Sequence, residues 1–331
     1  MKQDFKARGF TLIEILAATG IMTVVILIVL SLTTNVLSVW NRSTGQLTAN
    51  YEARVALDIM ATDLETMVLR NRDFCWLDVR YERPTSTGIT YTGALPTMPE
   101  FYFMARVEDR PRFSGASGTS PVYGDICAVG YKVLYQDPLT PTGGAYPMFG
   151  LYRFLIDSEH TFTDVMSAGS GVDLKTAMES GDGSGAEYYN QDGVATNVDS
   201  IDTTIASAEN FLSANVVDLN VIFWYHDTNL DLILPLNGDW AANSSKTKGA
   251  VMTVESEGVD FTYTNQLNAE GAAIAAKGTL EFVDISVTVM SPEGMKIIQN
   301  NAANIDENWH ELVAQYGQTF SRRVQIMAKP L

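Results

Sequence analysis

Residues Ile15 to Leu32 read ILAATGIMTVVILIVLSL, 18 consecutive residues without a charge or a proline. A helix rises about 1.5 Å per residue, so this run is near the minimum that crosses a hydrocarbon core of about 30 Å. Extending it back to Phe10 and on to Trp40 adds one charge, Glu14, and puts an aromatic residue at the far end, where a bilayer interface favours one. A buried core helix and a secretory signal peptide are the competing readings. A signal peptide's apolar segment is about 7–15 residues long and ends in a small-residue cleavage pattern, and this run is longer and lacks that ending. The pattern predicts a membrane-spanning helix. Lys2, Lys6 and Arg8 precede it against a single Asp4, which predicts a cytoplasmic N-terminus and an exterior domain beyond Trp40.

Glu14 interrupts the apolar pattern at the second turn of the span. A central acidic group costs roughly 2.5–3.5 kcal/mol on insertion scales, so this carboxylate needs either the headgroup level or a partner. It closes the run Gly9-Phe10-Thr11-Leu12-Ile13-Glu14, GFTLIE, which follows the short basic leader. Leader, motif and uninterrupted helix together resemble the class III signal of type IV prepilins and type II secretion pseudopilins. The resemblance implies that prepilin peptidase cuts after Gly9 and that Phe10 becomes the methylated N-terminal residue. It also implies that Glu14 serves assembly, meeting the Phe10 amine of another subunit where low dielectric makes each charge costly alone. The implied partners are prepilin peptidase, other pilins or pseudopilins and an inner-membrane assembly platform, with secreted cargo as a further candidate. No cofactor is implied.

Helical spacing continues past the span. Tyr51, Val55 and Ile59 form one stripe, and Ala56, Met60, Leu64 and Met67 a neighbouring one, with Glu52, Arg54, Asp58 and Glu65 mostly outside both. The expected organisation is a leader at 1–9, a transmembrane helix at 10–40, its amphipathic continuation at 41–72 and a β-rich periplasmic domain at 73–331. Asn41–Gly45 is the expected weak point of a long helix. Beyond residue 72 the period shifts to two, at Cys127–Tyr135, Phe149–Ile156, Val217–Tyr225, Val283–Val289 and Phe320–Ile326. Such alternation predicts antiparallel sheets with one face to water. Trp309, Leu312, Val313 and Tyr316 predict a helix ended by Gly317. The fold class is therefore α+β, a long N-terminal helix on a β-rich antiparallel domain, pilin-like in the light of the resemblance. The segments DICAVGYKV, GLYR, VVDLNVIFWY and FSRRV further resemble the minor pseudopilin J group. The length beyond that group lies at 157–212 and 227–278, both read as long loops.

Several other activities are disfavoured. A formal net charge of −17 argues against a nucleic-acid backbone as partner. His160, His226 and His310 accompany no nucleophile-elbow motif and read as ordinary packing residues. Cys75 and Cys127 either pair, since an exterior domain meets an oxidising compartment, or stay as buried thiols. Asp173, Asp182, Asp192, Asp199 and Asp202 sit on Gly-rich sequence but lack the spacing of an EF-hand loop, so a solvated segment is expected over a calcium site. The sequence thus predicts a non-enzymatic minor pseudopilin or pilin-like subunit of a periplasmic filament that supports secretion. The alternative is a surface pilus tip that binds a ligand.

Overall fold

The computed structural model describes residues 11–68, 75–82, 84, 98–107, 112–113, 121–122, 125–140, 146–167, 172, 174–180, 187–189, 195–197, 205–227, 231–235, 250–257, 260–265, 274–300 and 305–327. The chain divides into two compact units, Met1–Leu47 and Thr48–Leu331. One helix, α1 (Leu12–Glu65), contributes to both and runs unbroken through Asn41–Gly45. No proline interrupts it, and the lone glycines at 20 and 45 each cost only about 1 kcal/mol relative to alanine.

In the second unit, the large sheet follows the order β11-β10-β14-β13-β12-β1-β2-β5-β6-β9, with β15 also on β14. Its strands are β1 (Cys75–Glu82), β2 (Met98–Ala105), β5 (Cys127–Gln136), β6 (Met148–Ile156), β9 (Phe211–Ala214), β10 (Val216–Asp227), β11 (Leu232–Pro235), β12 (Ala250–Glu257), β13 (Asp260–Asn265), β14 (Ile274–Met290) and β15 (Gly317–Gln325). Short ladders β3 (Arg112–Phe113) with β4 (Pro121–Val122) and β7 (Glu187–Tyr189) with β8 (Ala195–Asn197) stand apart from it. The strand pairings of the large sheet among the described residues are antiparallel. The helices after α1 are α2 (Ser158–His160), which runs into a π-helical turn at Thr161–Val165, α3 (Leu174–Ser180), α4 (Pro292–Asn300) and α5 (Ile305–Tyr316). This is the α+β fold expected from the sequence.

The register sorts the central side chains onto two faces. Leu77, Phe103 and Val129 are cross-strand partners, as are Phe101, Tyr131 and Arg153, and all point to one side. There Phe101 stacks on Phe103 (centroids 5.9 Å apart) and on Tyr131 (5.1 Å). The second half of α1 packs on this side through Ala53, Ala56, Leu57, Met60, Ala61 and Leu64, all buried. Of the two stripes read from the sequence, the one through Ala56, Met60 and Leu64 is the core stripe. Tyr51 is 71% exposed, Val55 is 37% exposed, and Ile59 is half-buried. The alanines decide this outcome: small side chains let the helix backbone approach the aromatic layer closely, whereas Tyr51 would hold it off.

The opposite side carries Asp78, Glu100, Tyr102, Gly130, Lys132 and Gln136, and it is also covered. Every residue of β2 and β5 is buried, contrary to the expectation of a wet face. The cover comes from the segment read as a solvated loop. Thr161, Val165, Leu174, Ala177 and Met178 are fully buried against it, followed by Ile205 and Ala206. Thr161 Oγ1 accepts from the Ala128 amide at 2.9 Å, and Gln136 Nε2 donates to the Ala206 carbonyl at 2.8 Å. Gly130 is required here, because a Cβ would lie 2.7 Å from the ring of its cross-strand partner Tyr102. Gly317 ends α5 for a related reason: a Cβ would lie 2.4 Å from the Val313 carbonyl oxygen.

Candidate functional site

The first turn of α1 brings together the polar groups of the N-terminal motif. Gly9 and Phe10 lie outside the described residues. Thr11 precedes the helix and Glu14 stands three residues on, the spacing of a capping box. The geometry is reciprocal. Glu14 Oε2 accepts from the Thr11 amide and from the Thr11 hydroxyl, both at 2.9 Å, while Thr11 Oγ1 accepts from the Glu14 amide at 3.3 Å. A helix N-terminus leaves backbone N–H groups without intrahelical partners, and the box satisfies two of them while setting a carboxylate against the positive end of the helix dipole. The T-x-x-E spacing is itself a sequence signal, one that a purely intermolecular view of Glu14 overlooks. Glu14 Oε1 has no hydrogen-bond partner among the described residues.

Beyond this turn no side chain from Leu12 to Trp40 is buried within the chain. The helix is long and apolar enough to span a membrane. Its hydroxyls turn inward: Thr19 donates to the Ile15 carbonyl (3.0 Å), Thr23 to Thr19 (2.8 Å) and Thr33 to Val29 (2.8 Å). These hydroxyls therefore meet the helix's own backbone, as a hydrocarbon surround demands. At Gly20 a Cβ would touch nothing within 4 Å, so no contact of this chain requires the glycine.

The other half of α1 is tied to the sheet by charge. Asp63 is 3% exposed. It accepts from the Tyr131 hydroxyl, from Arg153 Nε at 2.7 Å and from Arg153 Nη2 at 3.1 Å. Burial and then the adjacent Asp63 charge push the Tyr131 phenol well above its ordinary range. At the sheet's other end, Arg322 Nη1 reaches Asp58 at 2.6 Å and Arg54 lies 5.4 Å from the Phe320 ring.

Beneath α3 lies a second buried ionic group. Glu100 Oε1 accepts from Lys175 Nζ at 2.9 Å, and its Oε2 is ion-paired with Lys132 Nζ at 2.5 Å. Asp78 accepts the Lys175 amide at 3.1 Å and Arg80 Nη2 at 2.8 Å. These groups lock the covering segment to the sheet, since removing one member leaves its partner charged and dry.

Cys75 and Cys127 are not brought together as a disulfide: both are buried thiols, directed at the Leu77 and Val107 carbonyls respectively. Cys75 is on β1, Cys127 is on β5, and β2 lies between them. Two inter-strand spacings amount to about 10 Å, beyond the Cα separation a disulfide spans. His160 Nδ1 lies 2.7 Å from Asp157, His226 Nε2 lies 2.9 Å from Asp231, and His310 is exposed. Asp173, Asp182, Asp192, Asp199 and Asp202 lie outside the described residues. Among the described residues, no group of three or more His, Cys, Asp and Glu side chains is placed to hold a metal ion.

No curated protein and no solved structure matches the chain. Residues 4–30 match the family model described as the prokaryotic N-terminal methylation motif. That match takes in the leader from Asp4 on, GFTLIE and most of the apolar run, and with the long helix and antiparallel sheet it supports a type IV pilin-like or pseudopilin subunit.

Proposed function

We propose that the chain is a minor pseudopilin or pilin-like structural subunit that prepilin peptidase cuts after Gly9 and N-methylates at Phe10. One helix holds it in the inner membrane with its N-terminus cytoplasmic and residues 73–331 periplasmic. From there it is drawn into a short filament that supports protein secretion, in contact with other pseudopilins, an assembly platform and the cargo. The observation that carries this reading is Glu14, capping the first turn of an exposed apolar helix inside the methylation motif.

Cleavage before Phe10 creates an α-amino group next to Thr11. Because the capping box uses Oε2, Glu14 Oε1 is left for the amine of a neighbouring subunit. Cap and intersubunit pair are thus compatible, and a carboxylate shared between them loses less on leaving water than an unpaired one.

Mass spectrometry of the native protein should give a mature chain starting at N-methyl-Phe10. Glu14→Leu should leave membrane insertion and processing intact while abolishing co-purification with partner pilins. An intact Met1, or undiminished co-purification of the variant, would overturn the reading.

A further inference from the structure

The solvent face of the strands β10, β14 and β15 carries a concavity of about 370 Å³. Its floor is built in cross-strand rows. Asn220, Ser286 and Ser321 form one row, and Ile222, Asp284 and Arg323 the next. The first row is open: Asn220 and Ser321 are exposed, Ser286 is half-buried, and none of the three side chains has a hydrogen-bond partner among the described residues. The second row is fixed. Asp284 takes Arg323 Nε and Nη2, each at 2.7 Å, and the Trp224 indole N–H at 2.9 Å. Trp224 stacks on Phe282 with centroids 5.5 Å apart, and the Arg323 guanidinium lies 4.1 Å from the centre of the Phe282 ring.

We infer that this concavity is a binding site for internal units of a neutral glycan chain. Asp284 neutralises Arg323, so the site selects neither an anion nor a cation, in a chain whose net charge is −17. What remains free is one amide and two hydroxyls, each able both to donate and to accept, which matches the alternating donor and acceptor character of sugar hydroxyls. The volume lies at the small end of ligand pockets and suits one or two hexose units. Beside it, Phe282 is flanked by Trp224 and Arg323, which fixes the guanidinium, and the Trp224 indole N–H is taken by Asp284, so the second row makes no polar demand of a ligand. The row is three strands wide, about 10 Å, and at the level of Asn220 neither β10 nor β15 has a further partner strand among the described residues. A strip open at both ends accommodates a chain passing through rather than a chain end. The site is independent of Glu14 and of assembly into any filament.

The test uses the full chain in a sugar-free zwitterionic detergent, with cellohexaose, chitohexaose and tripolyphosphate as probes in saturation-transfer NMR. At least one hexasaccharide should bind saturably, and tripolyphosphate should not compete. Ser286→Trp, which fills the concavity, should weaken binding about tenfold or more. The double variant Asn220→Ala with Ser321→Ala should weaken it by several-fold with an unchanged thermal midpoint, which separates loss of the site from loss of the fold. The inference is overturned if neither hexasaccharide binds, if binding is unaltered in both variants, or if tripolyphosphate binds in place of the sugar and is lost in Arg323→Gln.

Discussion

The two halves of α1 share one backbone conformation and solve opposite solvation problems. From Leu12 to Trp40 the helix is exposed and, apart from Glu14, uncharged, and its threonines at 19, 23 and 33 bond back to the helix's own carbonyls. From Ala49 to Leu64 it is apolar along one narrow, alanine-rich stripe, and its single buried charge reaches outward to Tyr131 and Arg153. The difference teaches that a polar group in the first half must be satisfied locally, while one in the second half can serve as a tether. Glu14 and Asp63 are the two carboxylates that show this most plainly.

Breaking the tether should have the largest effect. Asp63→Ala strands Arg153 and the Tyr131 hydroxyl in a largely dry site, and should destabilise the domain by about 3 kcal/mol. Denaturant titration followed by tryptophan fluorescence measures the loss, and a change below about 1 kcal/mol would show that the network is not a tether. Membrane insertion should be unaffected.

A gentler change sharpens the same comparison through pH. The folded Tyr131 phenol is raised above its ordinary value near 10, chiefly by burial. Its contribution is therefore complete below pH 10 and is lost as pH rises further, because the unfolded chain ionises first. One such proton gives a slope of up to about 1.4 kcal/mol per pH unit. Tyr131→Phe should remove that share of the alkaline loss, while Tyr135, Tyr152 and Tyr225, also raised by burial, keep the remainder. Identical alkaline slopes for the two proteins would contradict the assignment.

At the other end of the helix the effect should be smallest and most local. Thr11→Val removes the cap and should cost the first turn about 1 kcal/mol. Amide hydrogen exchange should quicken at Leu12 to Glu14, with the thermal midpoint of the domain unchanged.

Much of this architecture is legible in the sequence. The apolar run declares its helix, and the alternation in β10 and β14 declares those strands, because a half-buried ladder writes a period of two; β5 and β6 also alternate in sequence, although the structure buries both of their faces. Strands β1 and β2 leave no such trace. Both of their faces are largely dry, yet Asp78, Arg80 and Glu100 interrupt the apolar pattern; Asp78 and Arg80 pair with each other, and Glu100 is met by Lys132 and Lys175, distant in sequence. The segment that supplies Lys175 is equally hidden, since its Gly and Ser content reads as loop while a few residues such as Leu174 and Met178 do the packing. Asp63 resembles the other charges of an amphipathic helix until its partners, some seventy and ninety residues away, are known. At the N-terminus the motif is readable in full, but its reciprocal cap becomes visible only when the backbone ends are placed.

Strand β1 gains its second neighbour from β12, whose residues come roughly 170 positions later in the chain. Until that distant segment has been synthesised, one side of β1 has a bare hydrogen-bonding edge while β2 already occupies the other. The middle of the sheet is thus completed among the last steps of maturation, and a nascent chain halted before residue 250 would present an adhesive flank to its neighbours.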